Sequence, residues 1–373
     1  MALPLSPSAA AQAVIWGGLV IGLALGAAAQ ASRFCTMGAL ADWFSFGGTA
    51  RLMMWLLAAA VAATGTMILV HTGSIDATRA LPWSERFVWL SYLVGGLVFG
   101  HGMVLASGCP QRNLVRAGAG SLKALVTLVV AALVAQMTLR GVFAPPRVHG
   151  LDATGIDLGI PQDVGSLLGA LSGASPTLLR WAVLALALAA VATALWRHRA
   201  GVEQAHWIGG VAIGLLVPAA WALTGRIGFI TEHPETLEAA WLGTASRRPE
   251  GLSFAAPLAH GLDLLTLWSD RNTTATFGVT VALGVLVGSA IAALLRREFR
   301  VESFRDAEDL GTHLVGGALM GFGGVTAMGC SIGQGLSGLA LLSAGSCLAV
   351  AGMVAGTWSA LRLQTWRIER GAA

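Results

Sequence analysis

Nine stretches of this chain are apolar over about 17–25 residues each, long enough to cross a bilayer as helices. They run over roughly 12–30, 51–71, 87–106, 120–139, 178–196, 207–224, 277–295, 311–328 and 338–361. The expected fold class is therefore an all-α polytopic membrane protein, with residues 1–373 forming a single membrane-embedded domain. Composition excludes the alternative of two or three soluble domains. Charged residues are only 11% of the chain and the mean hydropathy is +0.71. Too few charges remain to coat a soluble particle of this size. A net charge of +4, with Lys123 as the lone lysine, is too small and dispersed for nucleic-acid binding.

Several apolar runs end in small, Gly-rich polar segments rather than in ordinary loops. These are 32–38, 108–116, 225–232 and 329–338. Non-helical backbone persists at membrane depth only where protein or a watery cavity surrounds it. The segments therefore read as re-entrant loops or half-helices. The stretch 252–268 is apolar but carries Pro257, His260 and Asp263, and reads as an interfacial or re-entrant helix rather than a tenth crossing. Basic residues set the orientation. With the arginines at 197, 199, 296, 297, 300 and 305 inside, the nine-crossing arrangement puts 14 of the 23 basic residues on the cytoplasmic side. It gives an outside N-terminus, a cytoplasmic C-terminus, and long outer loops near 140–177 and 225–276.

The chain also repeats itself. Gly96, Gly100, Gly102, Ala106, Gly108 and Cys109 recur, without a gap, as Gly317, Gly321, Gly323, Ala327, Gly329 and Cys330. Small residues at this spacing are ordinary helix-packing grammar, but the shared Gly-Cys ending goes further. A fainter echo links 32–36 with 225–229. In the orientation above, the two copies are inverted. The expected repeats span about 12–139 and about 207–361. Inverted repeats with broken helices are a transporter architecture, with the substrate held where the repeats meet.

Four cysteines occur, none in a CxxC pair. Cys109 and Cys330 open short polar segments. If each restarts a helix, its free N–H groups and positive dipole end favour an anion. A thiol adds a weak donor and a polarisable surface, suiting a soft, sulfur-bearing anion. Cys35 follows the first crossing in the same manner. Cys347 lies inside a continuous apolar run and reads as a small hydrophobe. Arg33 and Arg112 could draw an anion towards a cytoplasmic vestibule, and Arg226 could guide it in from outside. Gln111, Ser331 and Gln334 could bond a substrate or satisfy helix ends. No metal or organic cofactor is expected.

The segments SRFCTMGA (32–39), SGCPQRNLVR (107–116), GRIGFI (225–230) and GFGGVTAMGCSIGQGLSG (321–338) resemble the YeeE/YedE family of sulfur-transport membrane proteins. That resemblance implies nine crossings, an hourglass shape and cysteines stacked along a narrow path. It implies that Cys35, Cys109 and Cys330 pass thiosulfate inward through S–H···S contacts. It also implies a bacterial inner-membrane location and a small cytosolic sulfur-carrier partner similar to TusA. Two other activities compete with an uptake transporter or channel for a sulfur anion. A membrane thiol–disulfide oxidoreductase would need an exchanging cysteine pair, which the spacing does not offer. A re-entrant-loop pore for another small anion, or for a selenium or sulfur species, would not need the thiols.

Overall fold

The computed structural model describes residues 6–233, 237–270 and 273–371. The fold is helical, and eight helical stretches among the described residues are long and apolar enough to cross a membrane. The first half holds α1 (Pro7–Ser32), α2 (Thr36–Ala41), α3 (Ala50–His71), α4 (Trp89–Leu105), α5 (Pro110–Gly118) and α6 (Leu122–Leu139). Then come α7 (Val164–Ser172) and α8 (Pro176–His198). The second half holds α9 (Gln204–Ala222), α10 (Ala256–Thr266), α11 (Phe277–Leu295), α12 (Ala307–Thr326), a π-helical segment (Gly333–Gly338) and α13 (Ala344–Gly371).

The count differs from the expected nine at one place. The run at 311–328 does form a helix, α12, whose 20 residues are long enough to span. Its six glycines, with Asp309 and His313, lower its apolar character below that of the other eight. The physical reason is its packing: α12 lies between α4 and α6, which face its glycines, while Leu314 and Val315 stay exposed. Asp309 pairs with Lys123 of α6, and His313 is buried. Conversely, α8 fully buries only Leu184, packs Trp181, Val183 and Leu188 partly against its neighbours, and leaves Leu178 and Leu186 exposed.

The helix packing has an exchange pattern. Swap α1 with α9, α2 with α10, α3 with α11, α4 with α12, α5 with the π-helical segment, and α6 with α13. The pair α1–α11 then becomes α9–α3, and α4–α13 becomes α12–α6; all four pairs are in contact. The pairs α4–α12 and α1–α9 map onto themselves, and both pack directly. Glycines make the α4–α12 contact possible. A Cβ on Gly95 would sit 2.4 Å from the Ala327 nitrogen, and one on Gly316 would sit 2.6 Å from the Ala106 nitrogen. Each is the counterpart of the other at the sequence offset of the Gly-Cys copies.

The long loops carry little regular structure. Arg86–Phe87 pairs antiparallel with Ile156–Asp157, and Phe229–Ile230 with Ala240–Trp241. The stretch at 252–268 yields the 11-residue α10, roughly 16 Å long and about half a bilayer core. It is a short helix and not a crossing, as expected. The segment 225–232 departs from expectation. After a π-helical turn at Leu223–Ile227 it enters the Phe229–Ile230 strand rather than restarting a helix. The short helix that packs as the counterpart of α2 is α10, a loop further on.

Candidate functional site

Three helix ends share one backbone solution. Arg33, Ser107 and Met328 each adopt left-handed φ, at 55°, 54° and 56°. The next residue then donates its N–H back into the helix: Phe34 to Ala29 O, Gly108 to Met103 O, and Gly329 to Gly324 O. This is the Schellman closure, which satisfies the last carbonyls of a helix. A cysteine follows in every case, and its carbonyl accepts the first bond of the next helical turn. The donors are Ala39, Asn113 and Gln334. Cys35, Cys109 and Cys330 are thus the residues at which the chain reverses and restarts.

Amide side chains tie two of these turns. Asn113 Nδ2 donates to Gly108 O and Cys109 O. Gln334, its counterpart in the second copy, donates to Ala327 O, and its Oε1 accepts the Ser346 hydroxyl. Gln334 therefore holds the turn with both ends of its amide while lining a cavity. The third turn is tied through sulfur. Cys35 Sγ accepts the Gly38 N–H at 3.2 Å. Cys330 Sγ accepts N–H groups from Phe254 at 3.2 Å and Gly333 at 3.4 Å.

The turns converge. The Cys109 side chain interacts with Cys35, Cys330 and Ser331. All three cysteines are buried, and Cys109 and Cys330 are wholly so. Around them lie polar atoms with no hydrogen-bond partner among the described residues: both amide ends of Gln111, the Thr36 hydroxyl and Arg112 Nη1. Buried polar groups are normally paired, and a cluster of unpaired ones needs a reason. Arg112 is largely buried and feels Cys35, Cys109, Arg116 and Arg51. Arg116 reaches Glu302 at 4.0 Å.

Two cavities flank this cluster. One of about 300 Å³ is lined by Met328, Gly333, Gln334 and Ser337 of the second turn, and by Ala245, Ser246 and residues 249–253, including Glu250. One of about 160 Å³ lies between α2, α3, the π-helical segment and α13, touching Thr36, Trp55 and Ser331. Other expected site residues fall outside the cluster. Arg33 and Arg226 are exposed, each at the end of a membrane helix. Cys347 is exposed on α13.

The sequence reading missed Arg51 and the 250–254 loop. Arg51 packs on Gly38 and makes a two-pronged bond to Asp42, anchoring α2. The loop lies over the second turn, where Phe254 binds Cys330 and the Leu252 carbonyl accepts the Ser337 hydroxyl at 2.8 Å. Its signal was the apolar stretch beginning at Leu252, which was read only as a helix.

The sequence profile of the family described as sulphur transport matches residues 31–359, a span that begins before the first cysteine turn and ends within α13. The chain belongs to the sulphur transport family. It is 30% identical to the thiosulfate transporter TsuA of Escherichia coli strain K12, over 96% of this chain and 97% of that protein. It is 27% identical to the thiosulfate transporter TsuA of Spirochaeta thermophila, over 93% of this chain and 98% of that one. This family member has its three turn cysteines, and the unpaired polar atoms around them, inside the matched span.

Proposed function

We propose that this multi-pass membrane protein is an uptake transporter or channel for thiosulfate or a related sulfur anion. It is a transport protein and not an enzyme, in keeping with relatives named as transporters. The observation that carries the reading is the convergence of Cys35, Cys109 and Cys330 beside the Ser331 hydroxyl and unpaired donors at Gln111 and Thr36. A soft anion with a terminal sulfur and several oxygens needs both partners at once. The thiols offer weak S–H donors to sulfur, and the amide and hydroxyls offer N–H and O–H groups to oxygen. Arg112 supplies a buried positive charge beside the thiols. Arg33 and Arg226 are the exposed attractors at the two ends of the path.

The segments 12–139 and 207–361 act as two inverted repeats, with the turns at Cys109 and Cys330 approaching the midplane from opposite sides. The exchange pattern of the helices supports this reading. The protein sits in a bacterial inner membrane with its N-terminus outside and its C-terminus in the cytoplasm. There a TusA-like sulfur carrier collects the cargo.

The deciding experiment expresses the chain in bacteria that lack sulfate uptake and supplies thiosulfate as the sulfur source. Growth should require Cys109 and Cys330, tested as Cys109→Ala and Cys330→Ala at matched protein levels. Growth indifferent to both substitutions points instead to a pore for another small anion. A disulfide trapped with a redox partner, without uptake, points to an oxidoreductase.

A further inference from the structure

The larger cavity, beside the Cys330 turn, contains one carboxyl group among the described residues, that of Glu250. The residue is held firmly. Its N–H donates to Thr224 Oγ1 at 3.1 Å, and the Thr224 hydroxyl donates to its carbonyl at 2.7 Å. Its Oε1 accepts the N–H of Ser246 at 2.7 Å and the Ser246 hydroxyl at 2.6 Å. No arginine, lysine or histidine forms an ion pair with it among the described residues. Arg247 and Arg248 precede it in the chain but are exposed.

The surrounding elements do not supply the missing charge. Among the described residues, the titratable groups that share the cavity with Glu250 are His260 of α10 and Tyr92 of α4. The turn at 81–82, the ends of α6 and α9, the start of α11, the second Gly-Cys turn, the π-helical segment and the start of α13 contribute neutral residues only. Burial and the neighbouring Arg140 push the His260 pKa down, against the opposing pull of Asp263. The imidazole is therefore neutral near neutral pH. Burial pushes the Glu250 carboxyl up, opposed only in part by the bonds from Ser246 and Ala245. A doubly negative anion entering this space meets an ionised carboxylate that no cation screens, and like charges in a part-desolvated cavity repel strongly.

We propose that Glu250 is a proton-binding site of the transport path, taking up a proton as the anion occupies the cavity. This rests on the function proposed above. The step is a protonation alone. A proton from cavity water binds a carboxylate oxygen and the group becomes neutral. No bond of the anion changes, and the proton returns to water once the anion has moved past Cys330. Glu250 thereby makes occupancy depend on pH. Above the titration of Glu250, uptake rises as pH falls, by up to about tenfold per pH unit; below it, uptake levels off.

The test uses the full chain in proteoliposomes, with labelled thiosulfate uptake measured from about pH 5 to about pH 8, where thiosulfate itself remains doubly charged. In parallel, an indicator dye in weak buffer records protons taken up when thiosulfate is added to the purified protein. The wild type should show the rising limb and the proton uptake. Glu250→Gln should flatten the profile and abolish the dye signal, Glu250→Asp should keep both, and His260→Gln should keep the slope. A flat wild-type profile with clear uptake, or thiosulfate binding without proton uptake, overturns this inference and leaves the transport reading intact. The same slope in Glu250→Gln overturns it too. No thiosulfate uptake at any pH by folded wild type sinks the transport reading, and this inference with it.

Discussion

The Phe254 backbone N–H donates to the Cys330 sulfur across 3.2 Å, joining a membrane turn to a loop 76 residues away in sequence. This sulfur is therefore an acceptor that holds the loop, a role that can be separated from the cargo contact proposed for it. Cys330→Ala leaves a buried N–H without its partner, at a cost of about 1–3 kcal/mol. Cys330→Ser restores an oxygen acceptor on a shorter bond. We expect the alanine variant to melt earlier in detergent than the serine variant, while both lose thiosulfate uptake. Full uptake in the serine variant would show that the softness of sulfur is immaterial.

Gln111 gives the opposite test. Its side chain is fully buried and neither end of its amide has a partner. An unpaired buried amide is a burden to the fold, so Gln111→Leu, with similar volume, should leave thermal stability equal or higher. Thiosulfate uptake should fall by about tenfold or more, as expected when a donor to a charged oxygen is removed. Asn113→Leu should behave differently. It breaks two bonds to the turn and should lower both stability and uptake.

The helix contact through glycine sets a third expectation. Valine at Gly95 or Gly316 would force side-chain atoms onto the facing backbone of Ala327 or Ala106, within 2.6 Å. No flexible side chain is there to yield, so Gly95→Val and Gly316→Val should each abolish folded protein on size-exclusion chromatography. Gly261→Ala, where an added Cβ meets nothing within 4 Å, should be indistinguishable from the wild type.

Arg180 carries a fourth. Its guanidinium spans both oxygens of the fully buried Asp163 at 2.8 and 3.0 Å, bonds Ser166, and stacks on Trp83 at 4.2 Å. Asp163 also caps α7. Arg180→Met should strand this carboxylate and destabilise the protein by about 3–5 kcal/mol. The double variant Arg180→Met with Asp163→Asn should recover part of that loss in a thermal melt.

Much of the fold follows from local physics. The apolar runs predict the long helices because each span must satisfy its own backbone within lipid. The exception is informative: α12 carries six glycines and a half-buried Asp309–Lys123 pair because neighbouring helices cover much of its surface. The three reversals were legible for a similar reason. A helix that stops at membrane depth needs its last carbonyls closed and its next turn started within a few residues, and the cysteine segments do this locally. The echo at 225–229 misled because similarity over five residues does not fix where the next helix begins.

Side-chain roles at the site were not legible. Gln111 and Gln334 are both amides shortly after a turn cysteine, and the sequence treats them alike. Gln334 is committed to Ala327 and Ser346, whereas Gln111 is left unpaired. Glu250 likewise lies in a long loop, and only its bonds to Thr224, in the turn after α9, fix it beside the Cys330 turn. The chain alone determined that this protein spans a membrane and where its helices reverse, because those outcomes depend on neighbours a few residues apart. Only the tertiary structure decided which thiols meet, which polar atoms stay free and which carboxyl faces the cavity, because those depend on groups from distant segments competing for the same hydrogen bonds.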